Sequence, residues 1–218
     1  MHPADFAERR AAMVERQIAA RGVHDARVLA ALRAVPREAF VPRPLRDRAC
    51  DDRPLGIGEG QTISQPYIVA LMAQCLELRG QERVLEVGTG SGYAAAVLAA
   101  LAARVYSMER IAALANAARQ RLQALGLQQV QVRCGDGSLG WPEHAPFDAI
   151  SVAASGPVVP DALRQQLAIG GNLVMPVGTD PDHQELLRVT RVSAQQYRTE
   201  VITGVCFVPL LGAQGWPA

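Results

Sequence analysis

The chain has 218 residues, 49% of them hydrophobic, enough to bury a full core and a little above the usual size of one domain. Its 22 basic and 21 acidic residues leave a formal charge of +1, so no bulk field marks nucleic acid or an anionic membrane as a partner. Cys50, Cys75, Cys134 and Cys206 form no C-x-x-C pair, and His2, His24, His144 and His183 form no i, i+4 pair, so reduced thiols, loop histidines and no metal are expected.

Met1 to Arg10 is charged at Asp5, Glu8, Arg9 and Arg10 and holds no apolar secretory core. The longest apolar run, Tyr93 to Ala103, is about half of a membrane span, so a soluble cytoplasmic protein is expected. From Asp5 to Arg21, Phe6, Met13, Val14 and Ile18 recur at helical spacing up to the stop at Gly22. A second helix starts at an Asp25 cap and ends before Pro36. Pro36 to Gly60 carries too many prolines and glycines for long regular elements. Pro66 suits the first turn of a helix continuing from Tyr67 to Leu78, which puts Ser64 at or beside a helix N-terminus.

After Gly80, strand and helix alternate. Strands are predicted at Val84–Val87, Arg104–Met108, Val130–Cys134, Phe147–Ala153 and, after a Gly170-Gly171 turn, Asn172–Pro176. The helices between them fall at Tyr93–Ala102, Ile111–Leu125 and Pro160–Leu167. Such alternation implies right-handed crossovers and a doubly wound, mostly parallel α/β sheet. Glu185–Val192, Tyr197–Ile202 and Gly204–Leu210 read as strands without helices between them, an antiparallel C-terminal edge. The expected organisation is one structural domain, with residues 1–79 as a helical and loop cover and 80–218 as the α/β core.

Glu86-Val87-Gly88-Thr89-Gly90-Ser91-Gly92 leaves the first strand and enters a helix, a turn whose glycines let backbone approach a nucleotide-like ligand, or which is simply a tight connection. The spacing is G-x-G-x-G rather than G-x-G-x-x-G, and no G-K-[ST] follows, so neither a diphosphate nor a triphosphate is specifically cradled. S-adenosylmethionine carries no phosphate. Glu109, ending the second strand, is placed to accept from both ribose hydroxyls or to cap a helix. Gly135-Asp136-Gly137 ends the third strand, where Asp136 accepts from an adenine amino group or closes a plain turn. Together these features converge where open α/β sheets bind ligands.

Gln61-Thr62-Ile63-Ser64-Gln65-Pro66-Tyr67, Val84 to Tyr93, Gly135-Asp136-Gly137, Phe147-Asp148-Ala149-Ile150 and Phe207-Val208-Pro209-Leu210 resemble the ordered motifs of the protein-L-isoaspartate O-methyltransferases, over about Met13 to Leu211. Val35-Pro36-Arg37 and Phe40-Val41-Pro42 belong to the same likeness, and T-I-S-Q-P is its specific part. The resemblance implies a Rossmann-like methyltransferase fold. It also implies S-adenosylmethionine as cofactor, S-adenosylhomocysteine as product and isoaspartyl proteins and peptides as substrates. Ser64 becomes the candidate catalytic residue. Thr62, Ile63, Ser64, Glu86, Gly88, Gly90, Gly92, Glu109, Asp136 and Gly137 become candidate cofactor residues. Ala153-Ala154-Ser155-Gly156-Pro157 departs from the family's usual Ala-rich turn before Pro.

A carboxylate is already the nucleophile at neutral pH, so methyl transfer to it needs no general base. The site must orient the carboxylate and exclude water, for which a serine hydroxyl beside a helix N-terminus is suited, although Ser before Pro is also an ordinary cap. In the resemblance, the methyl ester then closes spontaneously to a succinimide whose hydrolysis returns some normal aspartate. A monomer without nucleic-acid or membrane partners is expected. Rival readings are a methyltransferase for a small molecule or RNA, a nicotinamide oxidoreductase, and a non-catalytic binding protein. The 5% of aromatic residues disfavours an RNA stacking platform, and the glycine spacing disfavours nicotinamide.

Overall fold

The computed structural model describes residues 3–180 and 183–217, so His2 lies outside the described residues. The first helical stretch changes pitch along its length. An α-helix, α1 (Pro3–Met13), is followed by a π-helical segment at Val14–Ile18 and a 3-10 turn at Ala19–Arg21, closed by Gly22 at φ 92°. Apolar spacing predicts one amphipathic helix here, and hydrogen-bond slips of this kind leave no mark in that spacing. Helix α2 (Ala26–Ala34) begins where the Asp25 carboxylate accepts from the N–H groups of Arg27 and Val28.

Between Pro36 and Gly60 the chain makes two short 3-10 turns, Arg37–Ala39 and Arg43–Arg48. It then forms a small antiparallel hairpin of β1 (Leu55–Gly58) and β2 (Gln61–Ile63). The sequence did not predict the hairpin, because strands of four and three residues are too short to display a period of two. Helix α3 (Pro66–Cys75) follows with Pro66 in its first turn.

The core comprises β3 (Arg83–Val87), α4 (Tyr93–Ala99), β4 (Arg104–Glu109), α5 (Ala112–Ala124), β5 (Val130–Cys134) and β6 (Phe147–Val152). It continues with α6 (Asp161–Gln166), β7 (Leu167–Asp180), β8 (His183–Arg191) and β9 (Tyr197–Val205). Among the described residues, seven of these strands form one sheet in the order β5-β4-β3-β6-β7-β8-β9. The first five strands in that order are parallel, and β8 and β9 add antiparallel pairs.

Two predictions need correcting. Gly170-Gly171 is not a turn ahead of a short strand but an irregularity inside β7, where Phe147 pairs with Leu167 while Ala149 pairs with Asn172. Gly204–Leu210 is not a third terminal strand. Gly204 ends in β9, and Phe207–Leu210 leaves the sheet edge, touching the body through an isolated bridge from Ser155 to Pro209. Its apolar character reflects burial against the cleft described below rather than strand pairing.

Side chains alternate across the sheet. Val84, Val105, Ala149 and Val174 pack on one face with Ile18, Leu32, Ala70 and Val97, so the N-terminal helices share the sheet's own core. Leu85, Tyr106, Ile150 and Leu173 pack on the other with Leu163 of α6. Each wholly buried Val, Leu or Ile among them contributes about 1.5–3 kcal/mol. No helix among the described residues is long and apolar enough to cross a membrane, and no group of His, Cys, Asp and Glu among them is arranged to hold a metal ion.

Candidate active site

Strand order reverses between β3 and β6, and the crevice outside their carboxyl ends is where doubly wound sheets hold ligands. An open cleft lies there. Its floor is Val87 and the loop Gly88–Ser91. Glu109, Arg110 and Ile111 line one side, Gln61–Ser64 another, and Ala153, Ala154 and Val208–Leu211 close it.

The glycine loop is fixed by main-chain bonds and by one carboxylate. Gly90, at φ 52°, gives its N–H to Glu109 Oε2 at 2.8 Å, and Glu109 Oε1 accepts from Ile111 N–H at 2.9 Å. Each Glu109 oxygen thus keeps a lone pair for a further donor, such as a ribose hydroxyl. Gly137 forms another wall by necessity of space, since a Cβ there would overlap Val87 Cγ1.

Ser64 lines the cleft and is half buried. It is not the cap of α3. Gln65 occupies that position, and the first-turn N–H of Tyr67 is taken by the Asp52 carboxylate at 3.0 Å. The Ser64 hydroxyl therefore has no hydrogen-bond partner among the described residues. Thr62 and Ile63, from β2, stand beside it in the lining.

Three predicted residues do not reach the cleft. Glu86 turns away beneath the loop, where it accepts from the Ser107 hydroxyl, which is bonded in turn to Thr89 Oγ1. Enclosure raises the Glu86 carboxyl to about 8, against the Ser107 hydrogen bond and helped by the charge of Glu109, and Glu86 Oε1 is left without a partner. Gly92 caps α4 and faces Ala118 and Leu122 of α5.

Asp136 accepts from Ser138 N–H and hydroxyl at 2.9 and 2.7 Å and from Ala213 N–H at 2.7 Å. Burial opposes its charge, but the donors of Ala213 and Ser138 outweigh this and hold its carboxyl below the ordinary range. Its visible task is to fasten the C-terminal segment.

That segment supplies residues the sequence did not assign to the site. Val208 to Leu211 form a wall of the cleft, held by main-chain bonds from Ser155 N–H to Val208 O and from Leu210 N–H to Ser155 O, both 2.8 Å. Trp216 Nε1 adds a bond to Ser155 O at 3.0 Å. The motif Phe207-Val208-Pro209-Leu210 was a signal for this wall, but its apolar run also fits a strand. Ser155 thus anchors the wall, while Ala153 and Ala154 face the cleft.

A family model described as protein-L-isoaspartate(D-aspartate) O-methyltransferase matches residues 8–215. Protein-L-isoaspartate O-methyltransferase 2 of Marinobacter nauticus is 59% identical over 213 residues, spanning 98% of this chain and 97% of the relative. Protein-L-isoaspartate O-methyltransferase 1 of Rhodopseudomonas palustris is 61% identical over 211 residues, spanning 97% and 86%. A solved protein-L-isoaspartate O-methyltransferase superposes with a TM-score of 0.85 at 28% identity, over 96% of this chain and 67% of its own. A Plasmodium falciparum structure described as the same kind of enzyme, in complex with S-adenosyl-L-homocysteine, superposes with a TM-score of 0.79 at 25% identity, over 93% and 98%.

Proposed function

Because the chain belongs to the protein-L-isoaspartate(D-aspartate) O-methyltransferase family, its reaction is methyl transfer from S-adenosylmethionine to the free carboxylate of isoaspartyl residues, and we propose that Ser64 orients that carboxylate. S-adenosylmethionine, when bound, supplies a methyl carbon made electrophilic by its sulfonium. The donor set suits it: the cleft floor offers loop backbone and an acid with spare lone pairs rather than a phosphate cradle.

On this reading Gly88, Gly90 and Gly137 give the close backbone approach, Glu109 holds the ribose hydroxyls, and Thr62, Ile63 and Ser64 cover the cofactor from the hairpin side. Glu86, Gly92 and Asp136 serve that site from behind, through Ser107, through α5 and through Ala213. Residues 1–79 act as the cover over the α/β core of 80–218. The protein works as a monomer in the cytoplasm, on polypeptide rather than nucleic acid or membrane. That part rests on the near-neutral charge and on the buried free thiols Cys50 and Cys75.

The chemistry asked of the side chains is modest. The substrate carboxylate is ionised at neutral pH, so no residue has to remove a proton. One hydroxyl donor fixes one carboxylate oxygen and leaves the other for attack, while the apolar wall of Val208–Leu211 excludes water. The ester formed then closes to a succinimide as a backbone amide nitrogen attacks its carbonyl and methanol leaves, so repair is begun rather than finished on the enzyme.

The unpartnered hydroxyl of Ser64, facing the cleft while Asp52 serves the helix end, carries this proposal. Ser64→Ala is expected to lower kcat for an isoaspartyl peptide by about 10- to 100-fold, the cost of one hydrogen bond to a charged group, with the Kd for S-adenosylhomocysteine nearly unchanged. Equal losses in both would make Ser64 a structural residue instead.

A further inference from the structure

We propose that Asp52 is a positioning residue for Ser64, acting from a separate loop to hold the segment that presents the hydroxyl to the cleft. The inference rests on the reading that Ser64 orients the substrate. Asp52 meets that segment through every acceptor it has. Oδ1 accepts from Tyr67 N–H at 3.0 Å, Oδ2 accepts from Gln65 Nε2 at 2.8 Å, and the Asp52 carbonyl accepts from the same amide nitrogen at 3.1 Å. Both partners lie within three residues of Ser64.

Asp52 is itself fixed from the other side. Arg21, the last residue of the first helical stretch, pairs with Oδ2 at 2.6 Å, and the same guanidinium lies 3.6 Å over the Tyr67 ring. The Asp52 side chain is only 17% exposed, while that of Arg21, at 47%, reaches solvent. The arrangement has a chemical consequence. An Asn or Ser at the cap position would satisfy the helix end locally but would leave the hairpin free to shift relative to α3. Capping from Asp52 ties α3, Gln65 and the first helical stretch to one carboxylate and leaves the Ser64 hydroxyl unspent. The floor of the cleft is carried on β3 and β4, with which the clamp shares no bond, so its loss should fall on turnover more than on cofactor binding.

The test is a double-mutant cycle on the full chain with Asp52→Asn, which keeps the shape and one acceptor, Ser64→Ala, and the two combined. The readouts are kcat and KM on an isoaspartyl peptide and the Kd for S-adenosylhomocysteine by calorimetry. Asp52→Asn is expected to lower kcat about 10-fold, to change the Kd less than 3-fold, and to cost almost nothing more in the Ser64→Ala background. Asp52→Ala, losing both side-chain acceptors, should fall further towards the Ser64→Ala level.

Multiplicative losses in the double variant would overturn the proposal, since Asp52 would then act independently of Ser64. So would wild-type turnover in Asp52→Asn beside an impaired Ser64→Ala, an outcome that leaves the Ser64 reading standing. Equal losses of kcat and cofactor affinity in Asp52→Asn would assign it a structural role and also overturn the proposal. Wild-type turnover in Ser64→Ala would remove the Ser64 reading itself, and this inference with it.

Discussion

Glu86 sits where a carboxyl group is hard to keep charged: it is enclosed beneath the glycine loop, and a single hydroxyl addresses one of its oxygens. With its ionisation raised to about 8, it is neutral in the fold at pH 7, whereas in the unfolded chain it ionises in the ordinary carboxylate range. The folded state therefore binds the extra proton between those two values. The stability contributed by the neutral form is complete below the ordinary range, declines as pH rises, and is gone once pH passes about 8. Glu86→Gln, which is neutral at every pH, is expected to flatten the fall in melting temperature between about pH 5 and pH 8. An unchanged slope in thermal unfolding would mean that Glu86 is ionised in the fold.

The same residue shows the limit of reading sites from sequence. Gly88, Gly90, Glu109 and Gly137 were legible because turn chemistry and strand ends place them whatever their side chains do, whereas Thr62 to Ser64 were legible only through the family resemblance of T-I-S-Q-P. Glu86 and Asp136 were assigned to the cleft, but the direction of each side chain is set by Ser107 on a neighbouring strand and by Ala213 far along the chain, neither visible locally.

At the scale of elements, the C-terminal strap is the feature whose role differs most from its sequence pattern. Phe207 to Trp216 is not hydrogen-bonded as a strand; it is pinned at chosen points, by Ser155, by Asp136 and by the Ser138 hydroxyl, which accepts from Gln214 N–H at 3.0 Å. The fit is close enough that a Cβ on Gly212 would overlap Asp136 Oδ1. Asp136→Ala is expected to speed amide hydrogen exchange at Ala213 and Gln214 markedly, while the sheet strands β3 and β4 keep their protection. Its cost to global stability should be about 1.5–3 kcal/mol, the range for hydrogen bonds to a charged group, since three donors lose their acceptor. Unchanged exchange at those two amides would show that Ser155 and Trp216 hold the strap without Asp136. The β1–β2 hairpin was missed for the opposite reason: it is regular, but too short to carry a period.

For the molecule as a whole, alternation of strand and helix predicted the parallel sheet, because crossover handedness and burial on both faces leave few other solutions, and the strands without helices between them predicted its antiparallel edge. Strand order was not legible, and with it the reversal between β3 and β6 that creates the crevice. The order also explains the division of labour across the cleft. The parallel centre carries the glycine loop and Glu109, while the N-terminal hairpin and the C-terminal strap, from opposite ends of the sequence, close over it.

That geometry, with family membership, makes the central claim methyl transfer to an isoaspartyl carboxylate. The most direct test is incubation of the protein with methyl-labelled S-adenosylmethionine and two peptides of the same sequence, one with a normal aspartyl and one with an isoaspartyl linkage. Base-labile label in the isoaspartyl peptide alone is the predicted result. Equal labelling of both peptides, or label stable to base, would contradict it.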